Sequence, residues 1–300
     1  MIPSPAHPTL AADGARTAVV IGGGGVYFAA YAAGYLHTLD RAGLRLEQVD
    51  LVVATSWSAV AAMGIFGGNF GRMASEWNLW AQLPPLLEKL ARPALPTTTQ
   101  VRALVQLGAL TSADSLSIRE VGRAAMASHN PSLEVLERSV RSLIGMGPWP
   151  AQGLHVVATD CYSGDRVVIG PDSGIDPAIA ASASMSLPGH FGPIWLGEHL
   201  CMDGTVAPSS THADLVGGAR RVLVLSLTDG SPTAQRATSL PRDLEAELGA
   251  IGRLGSDVHL VAANPAPGTN LLDAHVVADA LEAGRERATA ELVTMRRFLG

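Results

Sequence analysis

The chain has 300 residues, of which 47% are hydrophobic and only 16% are charged. This length and apolar content suit one sizeable core, and the 32 scattered glycines exclude a collagen-like repeat. The formal net charge of −6 argues against nucleic acid as a partner and gives no attraction to anionic lipid. Contact with a membrane is therefore expected to be peripheral and hydrophobic.

The beginning of the chain lacks the basic and apolar segments of a secretory signal. Residues 1–16 are expected to form a flexible tail before a single domain at 17–300. No run of about 18 apolar residues predicts a bilayer-spanning helix. The two cysteines, Cys161 and Cys201, are interpreted as reduced core thiols, with a single disulfide bridge between them as the alternative. These features predict a cytoplasmic protein.

Two strand–turn–helix units open the chain. The first predicted strand, 17–21, leads into four glycines at 22–25 and a helix over 29–42. A second strand at 49–54 is followed by a helix over 59–66. This order is typical of a parallel sheet.

Residues 77–150 are predicted to be helical and interrupted by prolines. A helical cap inserted over the sheet and an ordinary helical layer of the core both fit this pattern. Pro84 and Pro85 are tolerable only in the first turn of a helix. Ser115 and Ser117 stand where hydroxyl caps precede a helix near residue 118.

Strands return after residue 153 and complete a βα alternation. The sequence therefore predicts an α/β fold, a three-layer sandwich with a mostly parallel central sheet. The remaining predicted elements are two hairpins, two strands and a closing amphipathic helix, at residues 154–169, 194–202, 221–227, 258–262 and 274–298.

Ser56 lies between a predicted strand and a predicted helix. Serine hydrolases place their nucleophile on such an elbow, with small residues two before and two after it. Ala54 and Ser58 occupy those places. Taking Ser58 as the nucleophile would put the bulkier Val60 there, so Ser56 is preferred. A helix-capping serine is the alternative interpretation.

The glycine run and Asp203 are two further candidates. Main-chain N–H groups at a glycine turn before a helix can hold an oxyanion, although a tight structural turn explains the glycines equally well. Asp203 ends a hairpin strand beside Gly204, where a plain turn residue is also common. A carboxylate within reach of a serine hydroxyl can act as its base.

These pieces in this order resemble the patatin-like phospholipase family, over nearly the whole chain. The most specific stretch runs from Ala181 to Gly189 (ASASMSLPG) and then Met202-Asp203-Gly204, similar to the family's Pro-Gly turn and D-G-[GA] motif. The resemblance implies a patatin-like fold and a dyad of Ser56 and Asp203 without histidine. It implies an oxyanion hole at Gly23, Gly24 and Gly25, and acyl esters of lipids as substrates.

The chain departs from that family at three places. The glycine loop lacks the usual Arg or Lys and has Tyr27-Phe28-Ala29 instead. The elbow has Ala54 and Ser58 for glycine, and Thr205 follows the D-G pair. Backbone donors survive such changes. The lost cation argues against recognition of a phosphate headgroup.

An apolar acyl site with altered selectivity is expected around the elbow and the loop. Trp57, Tyr27 and Phe28 are predicted to contact the substrate, together with His190 of the Pro-Gly turn. His212, His259 and His275 follow Asp203 as a triad histidine would, but none lies in a distinctive loop. No cluster has metal-ligand spacing, so neither a metal nor a cofactor is predicted.

Hydrolysis of a lipid-like acyl ester is the predicted function. Transfer of the same acyl group to an alcohol or amine is an alternative reaction. A catalytically weak lipid-binding protein is an alternative of a different class. Labelling by a fluorophosphonate separates the enzymes from the binding protein.

Overall fold

The computed structural model describes residue 10 and residues 14–91, 97–110, 114–128, 133–145, 147–207, 209, 211–230 and 244–300. Most of the predicted tail at 1–16 therefore lies outside the described residues. The Leu10 N–H donates to the Leu215 carbonyl at 2.7 Å. The Asp50 carboxylate accepts the N–H of Arg16 at 2.8 Å, which fixes the start of the first strand.

Eight strands of the described chain form one central sheet. The order is β5-β6-β3-β2-β1-β7-β8, and β4 pairs with β3. Strands β3, β2, β1, β7 and β8 are parallel, whereas β4 and β6 are antiparallel to β3. The prediction of a mostly parallel sheet is confirmed. The strands are β1 (Thr17–Ile21), β2 (Leu51–Thr55), β3 (Leu154–Asp160), β4 (Arg166–Ile169), β5 (Ile194–Leu196), β6 (His199–Asp203), β7 (Arg221–Ser226) and β8 (Asp257–Ala262).

Ten α-helices lie within the described residues, and short 3-10 turns join several elements. None of these helices is long and apolar enough to cross a bilayer. The helices are α1 (Gly25–Arg41), α2 (Trp57–Phe66), α3 (Phe70–Gln82), α4 (Pro84–Ala91), α5 (Thr98–Gly108), α6 (Ser115–Ala127), α7 (Leu133–Ile144), α8 (Pro177–Ser184), α9 (Leu244–Arg253) and α10 (Val277–Leu299).

Alternate residues of β1 face two different helical layers. Val19 and Ile21 belong to the main core, to which α1, α2, α8 and α10 contribute. Ala18 and Val20 belong to a smaller core with the 3-10 turn Ala213–Val216 and α9. Because both faces of the sheet are covered, the strand has to be apolar almost throughout. The fold is the three-layer α/β sandwich that the sequence predicts.

The predicted cap at residues 77–150 contains helices with different packing partners. Leu136 and Val140 of α7 belong to the main core. Ile118 and Val121 of α6 pack instead with Met202 of β6 in a separate cluster. The division into a cap and a main body stays a prediction.

Several predicted helix starts differ from the structure by two to four residues, among them those of α1 and α6. The first helix was expected from residue 29, but α1 already begins at Gly25, because the first N–H groups of a helix need no intrahelical partner and glycine costs little there. The cap of α6 is Asp114, whose Oδ1 accepts the N–H groups of Leu116 and Ser117 at 3.0 Å each. The predicted caps, Ser115 and Ser117, lie inside its first turn. Pro84 and Pro85 open α4 as expected.

The main chains of α1 and α10 are in close contact where the two helices cross. A Cβ added at Gly34 would lie 2.2 Å from the carbonyl oxygen of Leu281. A Cβ added at Gly284 would lie 2.1 Å from the carbonyl oxygen of Tyr31. Backbone atoms cannot move aside as a side chain can, so both positions require glycine at this separation of the helices.

Gly34→Ala is expected to lower the free energy of unfolding by about 1–3 kcal/mol, because the added methyl forces the helices apart. Gly71→Ala in α3 is the matched control, since a Cβ there would meet nothing within 4 Å. It should be neutral or slightly stabilising, because alanine favours helix. Urea unfolding of both variants measures the difference, and equal effects would contradict the close crossing.

Candidate active site

Ser56 is the single residue between β2 and α2, and its backbone is strained. Its φ is 61° and its ψ is −140°. Non-glycine residues rarely adopt such angles, which cost on the order of 1–3 kcal/mol. Ala54 and Ser58, two residues before and after, are fully buried. The predicted strand-to-helix elbow is therefore present.

Ser184, at the end of α8, supports this elbow. Its Oγ accepts the main-chain N–H of Ser56 at 2.8 Å. The same hydroxyl donates to the Val157 carbonyl of β3 at 2.7 Å. Because one hydroxyl satisfies buried main-chain groups of the elbow and of β3, it offsets part of the strain at Ser56.

The position of Asp203 follows from the way three strands share β3. Thr55 of β2 pairs with Val157, and Asp203 of β6 pairs with the next residue, Ala158. Strand β4 pairs with both of these β3 residues along the other edge. Since a strand has two edges, β2 and β6 lie end to end along the same edge of β3. Ser56, which follows Thr55, is thereby brought against Asp203.

The two side chains are joined by a short hydrogen bond. The Ser56 hydroxyl donates to Asp203 Oδ2 at 2.7 Å. Asp203 Oδ1 accepts the N–H of Thr205 at 2.8 Å and its hydroxyl at 2.7 Å. Ser56 is 3% exposed and Asp203 is 1% exposed. The arrangement places a hydroxyl and a base in direct contact, shielded from solvent.

Gly23 lies beside this pair. A Cβ added there would be 1.9 Å from Cγ2 of Thr205 and 3.3 Å from Cβ of Ser56. Among the residues that the structure describes, no acceptor takes a hydrogen bond from the N–H of Gly23 or Gly24. The glycine loop therefore approaches Ser56 with main-chain donors that have no partner in this part of the protein.

The other two predicted oxyanion glycines have different neighbours. A Cβ at Gly24 would lie 2.6 Å from Cβ of Phe28 in α1. Gly25 has a φ of 66°, and its Cβ would lie 2.4 Å from the Leu271 carbonyl oxygen. Close packing against Phe28 and Leu271 therefore explains why positions 24 and 25 are glycine. At Gly23 the neighbouring atoms belong to Thr205 and Ser56.

The side chains predicted to contact the substrate lie at different depths. Phe28 is fully buried and Trp57 is 4% exposed, and both belong to the main core. Tyr27 is partly buried, and burial together with the charge of Asp279 raises the pKa of its hydroxyl. It therefore lies near α10. His190 is partly buried in the Pro-Gly turn. Substrate contact by these four stays a prediction.

The three histidines considered for a triad have other contacts. The buried ring of His212 has its Nε2 3.1 Å from the carbonyl oxygen of Gly204. His259 lies on β8, with Nε2 3.7 Å from the Glu291 carboxylate. His275 is an exposed residue in the middle of the turn before α10. The direct contact between hydroxyl and carboxylate needs no imidazole between them.

A second polar cluster lies behind His212. Glu247 of α9 accepts hydrogen bonds from the Ser209 hydroxyl at 2.8 Å and the Thr211 hydroxyl at 2.5 Å. Burial raises the pKa of Glu247. Burial alone would also raise the pKa of Asp214, but its two hydrogen bonds with Arg166 and the charge of that residue outweigh it and hold the pKa low. The cluster fixes the chain that follows β6.

Two residues at the site were not predicted. Ser184 lies within the small-residue segment 181–189, but nothing in the sequence shows that its hydroxyl reaches the elbow. Thr205 is recognised in the sequence only as a departure from a motif. In each case the signal in the sequence is a hydroxyl side chain at a position where a smaller residue would fit. The contact that each hydroxyl makes depends on strands that are distant in the sequence.

The two cysteine thiols are buried and unbonded to each other. Burial raises the pKa of Cys161 to about 12, and the nearby Asp160 charge adds to the shift. Burial also raises the pKa of Cys201. Thiols held in the neutral form are poor nucleophiles. These cysteines are therefore core residues, as predicted.

One group in the described part of the chain brings three possible metal-ligand atoms within 4.8 Å of one another, at Glu88, Asp273 and His275. His275 Nδ1 is 3.0 Å from Asp273 Oδ1 and 3.8 Å from Glu88 Oε1. The imidazole lies between the two carboxylates, and its Nδ1 is within hydrogen-bond distance of Asp273 Oδ1. The group is at the surface, and it includes neither Ser56 nor Asp203.

Ser184→Ala is expected to lower the free energy of unfolding by about 1–3 kcal/mol, because it leaves the Ser56 N–H and the Val157 carbonyl without their partner. Ser182→Ala is the control on the same helix. Its hydroxyl is equally buried and has no hydrogen-bond partner among the described residues. Thermal unfolding should leave Ser182→Ala close to wild type. Equal losses would show that Ser184 does not support the elbow.

Comparison with protein-family models and with curated proteins gives no match. Among solved structures, the chain is similar to VipD from Legionella pneumophila, with 12% identity and a TM-score of 0.42, over 95% of this chain and 67% of that one. It is also similar to ExoU of the ExoU-SpcU complex from Pseudomonas aeruginosa, with 19% identity and a TM-score of 0.42, over 95% and 52% of the two chains. The chain thus spans about half the length of ExoU. Scores this low carry no conclusion about activity, and the chemistry rests on the residues of this chain.

Proposed function

We propose that the protein is a serine acyl hydrolase that cleaves lipid-like acyl esters through an acyl-enzyme intermediate. The observation that carries this proposal is the 2.7 Å hydrogen bond from the Ser56 hydroxyl to Asp203 Oδ2. A carboxylate in direct contact with a serine can take its proton as the serine attacks. The strained elbow adds support, because such strain recurs where a nucleophile must be presented.

The reaction has two balanced steps. In the first, Ser56 Oγ attacks the ester carbonyl while its proton passes to Asp203. The tetrahedral intermediate collapses to an acyl-serine, and the alcohol leaves with that proton. In the second, water attacks the acyl-serine as Asp203 takes a proton from it, and the carboxylic acid leaves as the serine is protonated again. No cofactor takes part in either step.

The oxyanion of each intermediate is assigned to the glycine loop. Gly23 lies next to Ser56, and the N–H groups of Gly23 and Gly24 have no acceptor among the described residues. The loop leads into the N-terminus of α1, and Ser56 itself precedes α2. Both helix ends add partial positive charge where negative charge develops.

The substrate class is proposed from the surroundings of the dyad. Ser56 is followed by Trp57, and the glycine loop continues into Tyr27 and Phe28, so the neighbourhood is apolar. The loop contains no lysine or arginine that would bind a phosphate group. These features, with the resemblance to patatin-like phospholipases, favour an acyl chain as the recognised group. Peripheral contact with a lipid surface and a cytoplasmic location belong to the same proposal.

Ser56→Ala should reduce hydrolysis of p-nitrophenyl esters to the background rate and abolish labelling by a fluorophosphonate. Ser58→Ala is the matched control, since Ser58 is buried two residues away and its hydroxyl has no partner among the described residues. It should keep both properties. Loss of labelling in Ser58→Ala alone would show that the nucleophile is Ser58 and not Ser56. A wild-type protein that is not labelled would favour a lipid-binding role.

Asp203→Asn is expected to lower kcat by about a hundredfold or more, because an amide cannot accept the serine proton. His259→Ala and His275→Ala should keep most activity, since both residues contact other groups. His212→Ala, which removes the buried histidine near Gly204, should also keep most activity. Circular dichroism confirms that each variant is folded. A hundredfold loss at any one histidine in a folded protein would indicate a triad and contradict the dyad.

Gly23→Ala is expected to lower kcat by about a hundredfold with little change in KM, because the methyl would overlap Cγ2 of Thr205, crowd Ser56 and tilt the loop donors. Gly24→Ala directs its methyl toward Phe28 and Leu227. It should chiefly lower the melting temperature. Kinetics and thermal unfolding of both variants separate the two effects. A stable Gly23→Ala variant with full turnover would remove the loop from the mechanism.

A further inference from the structure

Thr205 touches both the candidate base and the glycine loop. Its N–H and its hydroxyl donate to the same oxygen, Asp203 Oδ1, at 2.8 and 2.7 Å. Its methyl group, Cγ2, occupies the space into which a Cβ at Gly23 would project, at 1.9 Å. A single side chain therefore contacts the carboxylate through one branch and the loop through the other.

The main chain of Asp203 is fixed on both sides. Its N–H donates to the Ser186 carbonyl at 2.9 Å, and its carbonyl accepts the Thr159 hydroxyl at 3.0 Å. These bonds do not fix the χ2 torsion of Asp203, about which the carboxylate rotates, and that torsion has broad, shallow minima. Thr205 restricts it, because two donors on Oδ1 leave Oδ2 facing Ser56.

We propose that Thr205 is a positioning residue, whose hydroxyl holds the Asp203 carboxylate in the orientation that takes the proton from Ser56. The proposal rests on the proposed hydrolase function. The methyl group keeps the hydroxyl in place, because Gly23 and the carboxylate leave the β-branched side chain one rotamer that satisfies both contacts. The threonine thus has a role that a glycine or alanine at this place would lack.

The hydroxyl also favours the ionised carboxylate. A hydrogen bond donated to a charged carboxylate stabilises that form over the protonated form. Only the ionised form can accept the serine proton. Loss of the hydroxyl should therefore make Asp203 easier to protonate, so that activity falls off at a higher pH on the acid side.

Three variants separate the two branches. Thr205→Val keeps both methyl-sized branches and loses the hydroxyl, and it should lower kcat about tenfold, the effect of one charged hydrogen bond. The acid limb of its kcat/KM profile should move to higher pH. Thr205→Ser keeps the hydroxyl and should restore the acid limb and most of kcat. Thr205→Ala should behave like Thr205→Val.

The measurements are ester hydrolysis from pH 4 to 9 and fluorophosphonate labelling, with melting temperatures for each variant. Thr289→Val on the exposed face of α10 is the control, because within the described part of the chain its hydroxyl bonds only to the Arg285 carbonyl of its own helix. An acid limb that stays unchanged in both Thr205→Val and Thr205→Ala would overturn the proposal. A loss of kcat in Thr205→Ser with none in Thr205→Val would assign the effect to the methyl group and overturn the proposal too. A wild-type protein without turnover or labelling would instead overturn the hydrolase function itself.

Discussion

The candidate site depends on two strands that meet end to end along one edge of β3. Strand β2 arrives parallel to β3 and ends at Thr55, and β6 arrives antiparallel and ends at Asp203. Residues 147 positions apart thereby share a 2.7 Å hydrogen bond. An all-parallel sheet would give β6 the opposite direction and place its last residue at the far end of this edge. The antiparallel strand is therefore the feature of the fold that brings the carboxylate to the serine.

Strain in the backbone of Ser56 is offset by the contacts that surround it. The backbone of Ser56 costs on the order of 1–3 kcal/mol. Typical hydrogen bonds contribute about 1 kcal/mol each, so the bond to Ser184 and the bond to Asp203 together are of comparable size. The elbow is thus held by the same groups that define the site. Ala54 and Ser58, two residues before and after Ser56, are small and fully buried, as a strand-to-helix elbow requires.

The sequence was sufficient for the larger elements and for the hypothesis that pairs Ser56 with Asp203. The strands that contain Val19 and Val53 are apolar at consecutive positions and therefore on both faces. This pattern predicts a parallel sheet that is covered on both sides. The elbow register at Ser56 followed from the volume of its neighbours. Helix starts were less accurate, because a first-turn glycine such as Gly25 and a cap such as Asp114 depend on local geometry.

The sequence by itself determined the α/β class, the elbow and the pairing of Ser56 with Asp203 as a hypothesis. Only the tertiary structure decided that their side chains are in contact, and that Ser184 and Thr205 are hydrogen-bonded to them. The physical reason is that side-chain volume at a turn and hydrophobic periodicity depend on residues that are neighbours in the sequence. A hydrogen bond between distant strands instead depends on which edge of β3 each strand occupies, and no short stretch of sequence encodes that choice.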